Sequence, residues 1–292
     1  MKEEDHRHRT LAVIGNTYQD GHLRLLQRLL RLLHDNGFRL TVQREFYLYL
    51  EERTVIFPEG TYAVDRLPAD CEAAISIGGD GTFLHAAEWV GDSGTPVLGV
   101  NTGHLGYLSH FTLDDMDTLA RSLRDGTLRR ERRTLLRLKM PGGESRYALN
   151  EVAILKDETS SMIHIHTDLD GIFLADYSAD GLIIATPTGS TGYNMSAGGP
   201  LLQPGMDAMV ITPVAPHSLT QRPLVVSGGS RVTATTESRS SLYRVSVDGS
   251  SFTLPEGSTI EICRAPYCLN ILTRPDGDFA STLRHKLTWA TP

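Results

Sequence analysis

Hydrophobic positions change their period partway along the chain. In the first part, short apolar runs alternate with stretches of helical spacing. Residues 10–15 (TLAVIG) read as a buried strand. After Asp20 and Gly21, Leu23, Leu26, Leu29, Leu30 and Leu33 recur at helical spacing, with Gly37 as a stop. That leucine stripe reads as core rather than as a partner-binding face. Residues 38–43 (FRLTVQ) alternate like a strand. Residues 73–77 (AAISI) form another apolar strand, which runs straight into Gly78-Gly79-Asp80-Gly81, and 82–90 continue as a helix. Residues 96–100 (PVLGV) predict a further strand. Thr112 and Asp115 stand three apart before Met116, Leu119 and Leu123, a capping-box start with Asp in place of Glu. Alternating strands and helices predict a parallel sheet covered on both faces. Ligands of such sheets sit beyond the carboxyl ends of the strands, where the 78–81 loop lies.

The period shortens near residue 127. From Leu135 onward, short runs such as LLRLKM, MIHIHTDLDG, GLIIATP, MVITPV, YRVSVDG and TIEICRA are punctuated by Gly, Asp and Pro. This is an all-β signature with hairpins and predicts a sandwich of two sheets. The expected organisation is an α/β domain with a Rossmann-like parallel sheet over 1–127 and a β-sandwich over 128–278. A short helix at 279–289 is expected to return to the first domain. A length of 292 residues agrees with two domains rather than one core of common size.

Composition narrows the function classes. Hydrophobic residues make up 40% and charged residues 22%, a globular balance. A net charge of −7 argues against general binding to nucleic-acid backbones. No apolar run approaches membrane-span length, and MKEEDHRHRT lacks the apolar core of a secretory signal, so a cytoplasmic location without membrane partners is expected. Cys71, Cys263 and Cys268 show no C-x-x-C spacing and read as buried free thiols. The basic run Arg129, Arg130, Arg132, Arg133 reads as a solvated strand edge.

Three motifs carry chemistry. In Gly78-Gly79-Asp80-Gly81-Thr82 the glycines let the backbone approach a ligand, and the following helix offers free N–H groups to phosphate. A carboxylate beside a phosphate cradle is explained either by Mg²⁺ bridging the phosphates or by acceptance of a proton from an attacking hydroxyl. No Gly-Lys-Ser/Thr follows, so this is not a Walker loop. Asn150-Glu151, inside ALNEVAIL, pairs an amide with a carboxylate between apolar neighbours. Such a pair suits an adenosine, or else marks an exposed strand turn. The third motif runs from Asp180-Gly181-Leu182 through TPTGSTGYNMSAGGP, 186–200. Its hydroxyls and glycines offer donors to phosphates, and Tyr193 offers a ring for stacking.

In this order and spacing, GGDGT, NTGHLGYL (101–108), NE and DGLIIATPTGSTGYNMSAGGP resemble the NAD kinase family, as do PVAPHSLTQRPLV (213–225) and SVDG (246–249). The resemblance implies an α/β domain joined to a β-sandwich. It implies transfer of the γ-phosphoryl of ATP, or of polyphosphate, to the 2′-hydroxyl of the adenosine ribose of NAD. Asp80 is then the general base, with Gly78, Gly79, Gly81 and Thr82 in the phosphate loop. Asn150 and Glu151 hold the adenosine. Thr188, Ser190, Thr191, Gly192, Tyr193 and Ser196 line the dinucleotide site. Asp180 reaches the nicotinamide side from a neighbouring copy of a homodimer or homotetramer. Mg²⁺ or another divalent metal is expected with ATP, because the motifs contain no Lys or Arg to compensate phosphate charge.

Two other readings remain at this stage. A lipid kinase shares GGDGT but needs an apolar groove, and a non-catalytic NAD(P) sensor has no need of Asp80. His164 and His166, two apart, share one strand face, and a metal pair there lacks a third ligand in the sequence. His85 lies on the helix after the glycine turn, facing the ATP site or packing. His104 borders the dinucleotide pocket by resemblance, whereas His6 and His8 sit in a polar tail.

Overall fold

The computed structural model describes residues 9–103, 106–157 and 161–287; His6, His8 and His104 lie outside them. The chain divides into two compact units, Met1–Glu131 with Leu269–Pro292, and Arg132–Cys268.

The first unit is built on parallel strands. Arg9–Gly15 pairs with Phe38–Gln43 on one side and Cys71–Ile77 on the other. Cys71–Ile77 pairs in turn with Val97–Asn101, and Tyr62–Val64 adds to Phe38–Gln43. The strand Thr259–Thr273 runs from the second unit into this one, where Ile271 pairs with Val97 in parallel. Helix Leu23–Asp35 presents Leu26, Leu29, Leu30 and Leu33 to the sheet, each buried, and Gly37 follows at φ +90°. The expected capping box at Thr112 is present, with Asp115 accepting from the Thr112 backbone N–H at 3.0 Å. It opens the turn before helix Met116–Arg124.

Helix Arg44–Glu52 and the short strand Tyr62–Val64 are among the elements of this unit that the sequence reading lacks. The helix begins one residue after a strand ends. Its first turn is capped by Gln43, whose side chain accepts from the Phe46 N–H at 3.0 Å. Gln is an uncommon cap, and no turn residue marks the boundary. The helix after the glycine turn spans Asp80–Val90, so Asp80 is its first residue. The C-terminal helix, Phe279–Leu287, belongs to this unit.

The second unit is a sandwich of antiparallel sheets. One sheet has six strands, in the order Leu224–Ser227, Ala208–Val214, Gly181–Ala185, Glu151–Leu155, Leu242–Val247, Ser250–Pro255. The facing layer contains the hairpin Ile163–Leu169 and Ile172–Ala179, closed by Asp170 and Gly171 at φ +54° and +80°. Val232–Glu237 joins this hairpin and pairs with the first residues of Thr259–Thr273. Alternation explains the core between the layers: Leu182 and Ile184 pack with Ile163, Ile165, Val232, Ile260 and Ile262. Ile183 and Ala185 point the other way, against Leu202 and Val210. The unbroken apolar run GLIIA is thus buried on both faces.

Replacing Leu29, fully buried under the parallel sheet, by Ala is expected to destabilise the first unit by about 2–5 kcal/mol. Chemical denaturation should show the loss, with the second unit's transition unmoved.

Candidate active site

At the end of strand Cys71–Ile77 the chain turns sharply. Gly78 adopts φ +148°, and a side chain there would collide with Thr82 Oγ1. The buried Thr82 hydroxyl accepts from Asn16 Nδ2 at 3.1 Å, tying this turn to the end of strand Arg9–Gly15. Helix Asp80–Val90 starts here, and its positive end favours the Asp80 carboxylate.

Asp80 is fixed by a second segment. Tyr107 N–H donates to Asp80 Oδ2 at 2.7 Å, and Leu108 N–H donates to Oδ1 at 3.2 Å. Gly106 makes this approach feasible, because a methyl group there would overlap the carboxylate. GGDGT and the last part of NTGHLGYL are therefore one structural device. The Tyr107 hydroxyl is buried, and its pKa is raised by burial and then by the charge of Asp80.

The C-terminal helix contributes a group that motif reading missed. Lys286 interacts electrostatically with Asp80, and its ammonium lies 5.3 Å from the centre of the Tyr107 ring. Burial lowers its pKa to about 8, with Asp80 pulling in the opposite direction. No local pattern marks Lys286; only the fold brings it to the glycine turn.

A cavity of about 550 Å³ opens beside the turn, at the carboxyl ends of strands Arg9–Gly15 and Phe38–Gln43. Asn16, Tyr18, Glu45, Thr82, His85 and Trp89 are among its lining residues. His85 therefore faces a cavity.

In the second unit, Asn150 precedes and Glu151 begins Glu151–Leu155, an inner strand of the six-stranded sheet. Asp248 organises them: its carboxylate accepts from the N–H groups of Leu149 at 2.6 Å, Asn150 at 2.8 Å and Glu151 at 3.0 Å. Asp248 sits at φ +48° in the turn between Leu242–Val247 and Ser250–Pro255. SVDG is thus the support of the Asn-Glu pair, a role that the motif alone did not reveal.

Glu151 is half-buried; its Oε2 is shut off from water and has no hydrogen-bond partner among the described residues. Its pKa rises to about 7, through burial first and the Asp248 charge second, against a lowering by the Tyr193 backbone N–H. At neutral pH it can accept or donate a hydrogen bond.

The segment after strand Gly181–Ala185 folds back over this pair. Thr186 N–H donates to the Asn150 carbonyl at 2.8 Å, and the Thr186 hydroxyl donates to the Leu149 carbonyl at 2.6 Å. Gly192 lies against the side chains of Glu151 and Asn150. Tyr193 is 39% exposed, and Ser196 is exposed on the same short helix. Thr188 and Ser190 are buried. Ser190 Oγ donates to the Pro187 carbonyl at 2.7 Å and accepts from Leu202 N–H at 2.9 Å. The Thr191 hydroxyl donates to the Thr188 carbonyl at 3.2 Å. These hydroxyls shape the loop.

Asp180 does not join this group. Strand pairing puts Ala185 opposite Glu151 and Gly181 opposite Leu155, so Asp180 flanks the far end of the strand. There it forms an ion pair with Lys156 at 2.6 Å. His164 and His166 each have a partner of their own: Ser178 Oγ lies 2.8 Å from His164 Nδ1, and Asp176 Oδ1 lies 2.8 Å from His166 Nδ1. Among the described residues no group of three or more His, Cys, Asp or Glu could hold a metal ion, and no helix is long and apolar enough to cross a membrane.

Comparison with known proteins covers both units. The ATP-NAD kinase N-terminal domain family matches residues 11–128, and the ATP-NAD kinase C-terminal domain family matches residues 149–273. NAD kinase of Bacteroides fragilis is 42% identical over 281 residues, spanning 95% of this chain and 97% of that protein. NAD kinase of Porphyromonas gingivalis is 41% identical over 280 residues, spanning 96% and 97%. In fold the chain is similar to yeast NADH kinase complexed with NADH, at a TM-score of 0.87 and 23% identity over 98% of this chain and 89% of that one. It is also similar in fold to an NAD kinase from Archaeoglobus fulgidus in complex with ATP, at a TM-score of 0.71 and 24% identity over 94% and 99%.

The raised pKa of Glu151 sets a pH dependence. The folded chain holds that proton up to about pH 7, whereas the ordinary value is 4.5. Between these values the folded state binds more protons than the unfolded state, so this residue's contribution to stability falls as pH rises. Glu151→Gln should therefore gain stability relative to the parent between pH 5 and pH 8 in chemical denaturation without ligand.

Proposed function

The chain belongs to the ATP-NAD kinase family, and we propose that it transfers the γ-phosphoryl group of ATP to the 2′-hydroxyl of the adenosine ribose of NAD, making NADP. One observation carries the assignment of the chemistry: a carboxylate at the tip of a parallel strand, inside a glycine turn, held by two backbone N–H groups. A turn that merely reversed the chain would need no such fixation.

In this reading Asp80 is the general base. A ribose hydroxyl is a weak nucleophile, and a carboxylate within hydrogen-bond reach accepts its proton as the bond to phosphorus forms. The bond between the γ-phosphorus and the bridging oxygen breaks, and ADP leaves with its electron pair. The N–H groups of Tyr107 and Leu108 occupy one lone pair on each oxygen, which fixes the carboxylate and leaves others free for the hydroxyl. Gly78, Gly79, Gly81 and Thr82 form the phosphate-facing turn. The cavity beside it, about 550 Å³, has room for a nucleoside.

Asn150 and Glu151 are assigned to the NAD adenosine: the amide to the adenine edge and the carboxyl to ribose hydroxyls. The support from Asp248 and the unpartnered Glu151 Oε2 favour this role, since a buried carboxyl oxygen without a partner is costly until a ligand supplies one. Tyr193 and Ser196 are exposed and suited to ligand contact, while Thr188, Ser190, Thr191 and Gly192 keep the loop in shape.

Mg²⁺ or another divalent metal accompanies ATP in this reading. A phosphate-rich ligand beside the Asp80 carboxylate suits a hard cation that takes oxygen ligands, without a dedicated protein cage. When bound, the ion neutralises charge on the phosphate oxygens. We also infer a cytoplasmic homodimer or homotetramer, in which Asp180 serves the dinucleotide of a neighbouring copy.

Asp80→Asn is the direct test. The variant should fold and bind NAD with little change, while kcat for NADP formation falls by about 10²–10⁴-fold. An unchanged kcat would remove Asp80 from the chemistry.

A further inference from the structure

Phosphoryl transfer spreads negative charge over the non-bridging oxygens, and a carboxylate base adds to it. Residues 78–82 contain neither Lys nor Arg. The C-terminal helix supplies a cation instead. Lys286 Nζ is buried, has no hydrogen-bond partner among the described residues and feels the charge of Asp80. An ammonium carries three donors, and one shut off from water is disfavoured until it finds acceptors.

The surroundings say what kind of acceptor fits. A cavity of about 220 Å³ has Lys286, Arg274, Asp276, His110, Thr282 and Gly106 among its lining residues. It is smaller than pockets that enclose a nucleoside, and its lining side chains are polar or charged. Arg274 is already paired, with Asp115 at 3.2 Å and with Asp276 of the same cavity wall at 3.4 Å, so these charges offset one another. Gly106 is also the residue that gives Asp80 its space, so ammonium, cavity and carboxylate meet at one place. The unpartnered Lys286 ammonium suits a small group rich in acceptors, such as a phosphoryl group.

We propose that Lys286 is a further substrate-binding residue of the reaction, its ammonium holding the phosphoryl oxygens of ATP beside Asp80. The inference rests on the NAD kinase reading. Lys286 keeps its proton throughout. The 2′-oxygen bonds to phosphorus, the bond from the γ-phosphorus to the bridging oxygen breaks, the hydroxyl proton passes to Asp80, and ADP carries away the electron pair. Lys286 compensates charge where a strongly hydrated point cation acts well.

The test compares Lys286→Met, Lys286→Gln and Lys286→Arg with the parent, using ATP with Mg²⁺ and NAD. Loss of one such donor should lower kcat/KM for ATP by about 10²–10³-fold in the Met and Gln variants. The Arg variant, which keeps the charge, should recover much of that loss. NAD affinity, measured by calorimetry without ATP, should stay within about twofold of the parent, since the Coulombic partner removed is that of phosphate. Parent-like kcat/KM in the Gln variant overturns the proposal. So does an Arg variant as impaired as the others together with weakened NAD binding, since Lys286 would then only be holding the 106–108 segment. Because the Gln and Arg variants decide the matter, a Met variant that fails to fold does not. If the parent protein makes no NADP, the kinase reading itself fails, which is a separate result from parent activity with unaffected variants.

Discussion

The Asp80 carboxylate and the two backbone N–H groups that hold it form the constraint on which the functional account depends. A carboxylate placed at the positive end of a helix and gripped by Tyr107 and Leu108 cannot swing away from the mouth of the glycine turn. The arrangement needs glycine twice: at Gly78, where the backbone turns at positive φ, and at Gly106, where the second segment passes against the acid. Both segments follow strands of the same parallel sheet, Cys71–Ile77 and Val97–Asn101, which are neighbours in register. The rigid layer below thus fixes the distance between base and loop, which is what a reaction run by positioning requires.

The second unit applies the same principle to binding. Asp248 collects three successive N–H groups and so fixes the chain direction at Asn150 and Glu151. Two acids close together then share one environment. Asp248 is satisfied by donors, whereas Glu151 is left with an open, buried oxygen and a raised pKa. The open position has a cost in the free protein and is available to a ligand hydroxyl. The loop 186–200 covers the pair with the hydroxyls of Thr186 and Ser190 turned inward, and exposes Tyr193 and Ser196.

Much of this was legible in the sequence, because strongly periodic segments report their burial directly. The leucine stripe, the capping box at Thr112 and the doubly buried run GLIIA all became the elements that their patterns predict. The two-domain fold likewise followed from the change of hydrophobic period, and the family from motifs that kept their order. What escaped had no local signal. Helix Arg44–Glu52 starts without a turn residue because Gln43 ends one element and caps the next. Asp248 looks like an ordinary hairpin residue until the sheet pairs Val247 with Val152. Lys286 lies among ordinary helix formers and gains meaning only when the last helix reaches Tyr107 and Asp80. Hydroxyls that read as ligand donors, such as that of Ser190, are occupied by the backbone of their own loop, because a tight segment must satisfy its own polar groups first.

The most direct measurement of the central claim is the position of the transferred phosphate. Phosphorus NMR of a reaction containing the protein, ATP, Mg²⁺ and NAD should show a phosphate monoester on the 2′-oxygen of the adenosine ribose, growing in step with ADP. Inorganic phosphate growing in step with ADP, or a monoester on another oxygen, would contradict the account.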